Sequence, residues 1–161
     1  VMSNPEVAFG LAAPYEQSPD LEYQELFAMT WTLIVPRGHR IAGRRRVKLE
    51  QLVREPLILY ERGSTGRQHV LDAFYERGLS PLVTLETTAT EIVVSMVEAG
   101  LGMAIVPLLP SGAVTRGRRI AVVALDAPIR PIHSGVLLRR RETLTRPAAR
   151  LLEFTKSRFA S

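Results

Sequence analysis

Apolar positions along the chain fall into runs of two periods, and their order predicts the architecture. Residues 7–13 form a short continuous apolar run that reads as a strand buried on both faces. Residues 14–20 are turn-rich and closed by Pro19. An extended stretch over 21–35 ends at Pro36-Arg37-Gly38-His39, and arginines 44–46 precede a short helix around 47–53. Pro56 starts a strand at 57–60, and a turn follows at 63–66. From 67 to 77, Val70, Leu71, Phe74 and Tyr75 recur at helical spacing, predicting an amphipathic helix stopped by Gly78.

The same unit then repeats. A strand at 82–85 and a threonine-rich turn lead into a helix that carries Ile92, Val93, Met96 and Val97 to a stop at Gly100. Next come a strand at 103–106, a Pro-bounded turn of helix near Leu108, and strands at 120–125 and 134–138. Thr145 caps a last helix with Pro147 in its first turn, and Leu151, Leu152, Phe154, Thr155 and Phe159 are its expected packing side. Strands alternating with helices predict an α/β domain with a mainly parallel sheet.

Composition narrows the chemistry. The 161 residues are 46% hydrophobic and 23% charged, enough to bury a real core. The formal charge is +5, and all but Lys48 and Lys156 of the 21 cations are arginine. The absence of cysteine excludes a disulfide scaffold, a thiolate zinc site and a cysteine nucleophile. His39, His69 and His133 have no ligand spacing, so no metal and no other cofactor is expected, and His69 reads as a solvated residue on a polar helix face. Apolar runs are too short to span a bilayer, so no membrane partner is expected. The chain opens in mid-element at Val1-Met2-Ser3-Asn4, which suggests a fragment of something longer.

In open α/β sheets ligands sit beyond the carboxyl ends of strands, where helix starts point free N–H groups. Two turns carry suitable chemistry. In Gly63-Ser64-Thr65-Gly66-Arg67-Gln68, Thr65 and Gln68 fit a capping box, and Gly66 allows close backbone approach. Ser64, Thr65, Gly66 and Arg67 together suit a carboxylate, sulfate or phosphate. In Thr87-Thr88-Ala89-Thr90-Glu91, Thr88 and Glu91 fit a second box, and Thr84 adds a hydroxyl. If the two strands are neighbours, both helix starts face one crevice. An ordinary N-cap remains the alternative at each turn. Ser64 lacks nucleophile-elbow glycines and a base, and Glu61 and Glu86 form no evident acid/base pair, so no catalytic residues are assigned. The basic groups at 44–46, at 116, 118 and 119, and at 139–141 could touch nucleic acid, but they lack interleaved aromatics and a recognition-helix pattern and read as solvated faces or subunit contacts. Trp31 reads as core or crevice wall.

Longer stretches resemble a known family. Val7-Ala8-Phe9-Gly10-Leu11-Ala12, Leu21-Glu22-Tyr23-Gln24-Glu25-Leu26-Phe27 and Leu33-Ile34-Val35-Pro36-Arg37-Gly38-His39-Arg40-Ile41-Ala42 resemble the effector-binding domain of LysR-type transcriptional regulators. So do Leu49-Glu50-Gln51-Leu52 and the 63–74 segment, and above all Ile92 to Pro107 with its Glu98-Ala99-Gly100-Leu101-Gly102-Met103 core. The resemblance covers nearly the whole chain. It implies an α/β, periplasmic-binding-protein-like (type 2) fold of two lobes, one complete lobe plus part of the other. Residues 32–133 would be the complete second lobe; residues 1–31 and 134–161 would be a partial first lobe.

The function so implied is a ligand-sensing regulatory domain, not an enzyme. A small, anionic metabolite would bind between the lobes at Ser64, Thr65, Gly66, Arg67, Thr87 and Thr88. Further implied are self-association as a dimer or tetramer, a cytoplasmic location, and DNA contact through a winged helix-turn-helix outside this chain. Thr65-Gly66-Arg67 resembles in particular the anion-binding turn of the sulfur-assimilation branch; Ala13, followed by Pro14, departs from it by lacking that branch's hydroxyl. The rival reading on the same fold is a periplasmic solute-binding receptor of a transport system, and an enzyme on this scaffold is the third option.

Overall fold

The computed structural model describes residues 7–13, 18–109 and 112–159. The chain divides into two compact units: Met29–Pro131 form one, and Val1–Ala28 with Ile132–Ser161 the other. Strand β2 (Leu21–Pro36) contributes its first half to the latter unit and its second half to the former.

In the central unit the strands are the second half of β2, β3 (Arg46–Val47), β4 (Leu57–Tyr60), β5 (Val83–Thr87), β6 (Met103–Leu108) and β7 (Ile120–Leu125). Their order is β3-β7-β2-β6-β4-β5. The β4–β5, β4–β6 and β3–β7 pairs are parallel, whereas β2 runs antiparallel to both β6 and β7. The sheet is therefore mixed rather than mainly parallel, because the long β2 enters it from the other direction. Helices α1 (Thr65–Tyr75) and α2 (Thr90–Glu98) follow β4 and β5.

Period-two alternation divides the strand side chains between two cores. Leu33, Val35, Leu57, Leu59, Met103, Ile105 and Val123 pack with Val70, Ala73 and Phe74 of α1. Their neighbours Ile34, Ile58, Tyr60, Ala104 and Val106 pack with Val93, Val94 and Val97 of α2. A strand that serves two cores must be apolar at successive positions, which is why 57–60 and 103–106 read as continuous runs. Both helices end as expected. At Gly100 (φ +81°) the Leu101 amide returns to the Met96 carbonyl at 3.1 Å and the Gly100 amide to Val97, a reversal that the left-handed glycine permits.

Several local expectations change. The 47–53 segment is β3 plus a 3₁₀ turn (Leu49–Gln51), since it is too short to nucleate an α-helix and buries Leu49 and Leu52 at a spacing of three. Near Leu108 there is no helix: β6 continues, with Thr30 opposite Leu108. Pro107 is tolerated there because β4 pairs only with Met103 and Ala104 of β6.

In the other unit β8 (Ile132–Arg139) lies between β1 (Gly10–Ala12) and the first half of β2. Strand β1 is not buried on both faces; among the described residues it pairs only with β8, antiparallel, and Leu11 is exposed. Thr145 precedes α3 (Arg146–Phe159) and its hydroxyl accepts from the Ala148 amide at 3.5 Å. The buried stripe of α3 runs through Leu152 and on to Phe159, which stacks on Phe27 with centroids 4.5 Å apart. Leu151 and Phe154 lie off that stripe and are exposed, contrary to the expected packing side. Of the turn expected over 14–20, residues 14–17 lie outside the described residues.

Two substitutions test this architecture. Phe74→Ala empties a fully buried position between α1 and the sheet and is expected to cost about 3–5 kcal/mol in urea unfolding. At Gly102 a Cβ would stand 2.7 Å from the Pro56 carbonyl oxygen, which accepts from the Met103 amide at 2.9 Å. Gly102→Ala must separate β6 from the entry to β4, an expected loss of about 1–3 kcal/mol by the same measurement.

Candidate functional site

Parallel pairing sets Tyr60, the last residue of β4, opposite Thr87, the last of β5. The chain leaves both strands at the same end of the sheet, and the Glu61 amide still donates to the Thr87 carbonyl at 2.9 Å. The turns singled out from sequence are therefore neighbours, and α1 and α2 both start there.

The α1 corner is organised by Ser64, not Thr65. Ser64 is the N-cap: its hydroxyl accepts from the Arg67 amide at 3.2 Å and donates to the Glu61 carbonyl at 3.0 Å. Thr65 and Gly66 occupy the first two helical positions, and their amides meet no acceptor among the described residues. Thr65 is half-buried and its hydroxyl makes no hydrogen bond to a described residue. The Thr65–Gln68 capping box does not form, because the cap lies one residue earlier and places Arg67 at the third helical position.

Gly66 is buried for reasons of packing. A Cβ there would lie 3.1 Å from Tyr60 Cδ2 and 3.5 Å from Trp31 Cη2, so the first turn of α1 rests directly on these rings. Arg67 joins three elements: one guanidinium nitrogen donates to the Tyr60 carbonyl at 3.0 Å and reaches Glu86 Oε1 of β5 at 2.9 Å. Its side chain is 15% exposed, and Glu86 balances its charge. Glu86 is shared with Arg62 of the same turn, which is exposed and lies 3.9 Å from it.

At the second corner the N-cap is Ala89, which has no side-chain acceptor, so the Thr88–Glu91 box does not form either. The Ile92 and Val93 amides both return to the Ala89 carbonyl, leaving those of Thr90 and Glu91 without an acceptor among the described residues. Thr87 is half-buried and Thr88 exposed, and neither hydroxyl bonds to a described residue. The Thr90 hydroxyl is held at 2.7 Å by that of Tyr60. Burial raises the Tyr60 pKa above its usual value, the Glu91 charge adds to this, and the Thr90 bond opposes it, so the phenol stays neutral.

Sequence reasoning missed Tyr60, which touches both corners, and misread His69. His69 is 7% exposed, and its Nδ1 lies 2.9 Å from the Arg130 carbonyl, which also accepts from Trp31 Nε1 at 2.7 Å. Trp31 is thus a wall residue beneath Gly66 with its own hydrogen bond. The available signal for Tyr60 was its place, the last apolar residue before a glycine-rich turn. Among the described residues no His/Asp/Glu group of three could hold a metal, and no helix is long and apolar enough to cross a membrane.

Comparison with known proteins adds identity to geometry. Residues 3–160 match the family model of the LysR substrate binding domain. The HTH-type transcriptional regulator SsuR of Burkholderia cenocepacia is 31% identical over 124 residues, covering 76% of this chain but only 39% of SsuR. The Synechocystis PCC6803 CcmR regulatory domain in complex with 2-PG superposes with a TM-score of 0.85 at 20% identity, over 99% of this chain and 77% of that one. The effector binding domain of QuiR in complex with shikimate gives 0.82 at 18% identity, over 98% and 74%. At those identities the two structures establish the fold.

His69 gives stability a pH dependence of known sign. Burial lowers its folded pKa; the Arg130 charge acts in the same direction, while the bond to the Arg130 carbonyl and the Asp72 charge oppose it. The unfolded chain takes up a proton near the ordinary 6.5, so below that pH it binds more protons than the folded chain. Urea midpoints are expected to fall as pH drops from neutrality through this range, and less steeply in His69→Gln.

Proposed function

The chain belongs to the LysR substrate binding domain family, the effector-binding part of transcriptional regulators, and we propose that it senses a small anionic metabolite at the paired starts of α1 and α2. The observation that carries this reading is the Tyr60–Thr87 pairing, which puts two helix N-termini with unused amides at one end of the sheet. Helix starts favour anions through their free N–H groups and aligned peptide dipoles. The Thr65 and Gly66 amides and the Thr65, Thr87 and Thr88 hydroxyls are the contacts; Ser64 and Arg67 hold the corner in shape. Complexes of CcmR with 2-PG and of QuiR with shikimate support a small-molecule ligand.

The proposal extends to the parent protein. Residues 1–31 and 134–161 act as part of a first lobe and 32–133 as a second. Occupancy alters DNA binding by a winged helix-turn-helix outside this chain, within a cytoplasmic dimer or tetramer. A coupling of about 1–3 kcal/mol is sufficient, provided the two states bind the effector unequally. No catalytic step belongs to this reading, and the relatives' description as transcriptional regulators sets the transport-receptor alternative aside.

A thermal-shift screen of sulfate, sulfonates and small carboxylates identifies the ligand, since binding to the folded state raises the melting temperature. Calorimetry with the best hit is expected to show Thr65→Ala weaker by about 1–2 kcal/mol. Unchanged affinity would remove Thr65 from the site, and no response from any anion class would overturn the reading.

A further inference from the structure

The positive charge of this chain is concentrated at one edge of the central unit. Residues 37–55 and 112–126 carry ten Lys and Arg against three carboxylates. Counting also Glu98, which pairs with Arg118 at 3.1 Å and Arg119 at 3.8 Å, the excess is six, more than the formal +5 of the whole chain. The two segments adjoin: the Arg37 amide donates to the Arg119 carbonyl at 3.2 Å, and β3 pairs alongside β7 through Arg46–Ala124 and Val47–Leu125. Arg40 pairs with Glu55 and Arg46 with Asp126. Arg37, Arg44, Arg45 and Lys48 are exposed and pair with no described carboxylate.

We propose that this edge is a second, sequence-independent contact surface for the phosphate backbone of double-stranded DNA. Charge is all that such a contact needs, and arginine's planar fork suits phosphate oxygens. A protein partner would require several apolar anchors, yet across residues 37–55 and 112–126 Val122 is the only large apolar side chain that is exposed among the described residues, Ile41, Val47, Leu49 and Leu52 all being buried. The short turns at 37–48 hold the free cations on backbone anchored by those four side chains, so little order must be gained on binding. The surface reads no bases: it adds affinity and sets the position of the domain against DNA. It does not depend on what occupies the helix starts.

The test is fluorescence anisotropy of the 161-residue chain with a labelled duplex of random sequence across a potassium chloride series. Four phosphate contacts predict a log–log salt slope of about −3.5. In the variant R37Q/R44Q/R45Q/K48Q, binding at low salt is expected to fall more than about tenfold and the slope to flatten. The control R141Q/R146Q/R150Q/R158Q removes equal charge from the other unit and is expected to retain most of the binding. Circular dichroism melting confirms that both variants fold, and three single substitutions (R37Q, R44Q, R45Q) with graded losses serve if the quadruple variant does not. The proposal is overturned by no binding of the native chain at low salt, by equal losses in patch and control variants, or by polyglutamate competing as well as the duplex, which would make the partner an acidic protein.

Discussion

The carboxyl ends of β4 and β5 are held in parallel register at Tyr60 and Thr87, and the placement of everything around the helix starts follows from that pairing. A parallel pair needs a crossover, and α1 supplies it, so each strand ends where a helix begins. Tyr60 makes the constraint three-dimensional. Its ring lies under Gly66, its carbonyl accepts from Arg67, and its hydroxyl holds Thr90 of α2. Arg67 closes the arrangement by reaching Glu86 on β5. The corners cannot move apart without breaking buried contacts, a rigidity that suits the small-anion recognition proposed above.

The two cores explain why this edge of the sheet is stable enough to carry such a corner. Leu57 and Leu59 pack toward α1 while Ile58 and Tyr60 pack toward α2, so β4 is anchored from both faces. Within β4 the first polar side-chain group is that of Tyr60 at the strand end, and Glu61 follows it, where water or a ligand can satisfy polar groups.

Much of this was legible in the sequence because it rests on local rules. Helical periodicity at Val70, Leu71 and Phe74, and at Val93 and Val97, gave both central helices, and Gly78 and Gly100 gave their ends. Family resemblance over the Ile92–Pro107 stretch gave the fold, which the family match and the solved structures confirm. What failed depended on tertiary contacts. Thr65 and Thr88 each have a partner at capping-box spacing, yet the helices begin one residue away, at Ser64 and Ala89, where strand pairing leaves the backbone. His69 reads as solvated because nothing nearby in sequence foretells Arg130, whose carbonyl lies 61 residues on. The antiparallel entry of β2 is equally invisible, since strand direction leaves no trace in periodicity.

The closeness of Gly66 to Tyr60 and Trp31 has an evolutionary corollary. With a Cβ only 3.1 Å from the Tyr60 ring, position 66 accepts a side chain only if that ring gives way by a few tenths of an ångström. Arg67 is likewise tied down by its partners on β4 and β5. Under the proposed reading, a lineage that changes its inducer must therefore do so at Thr65, Thr87 and Thr88. Three short side chains on an inflexible frame form a palette for specificity that can be exchanged without refolding the domain.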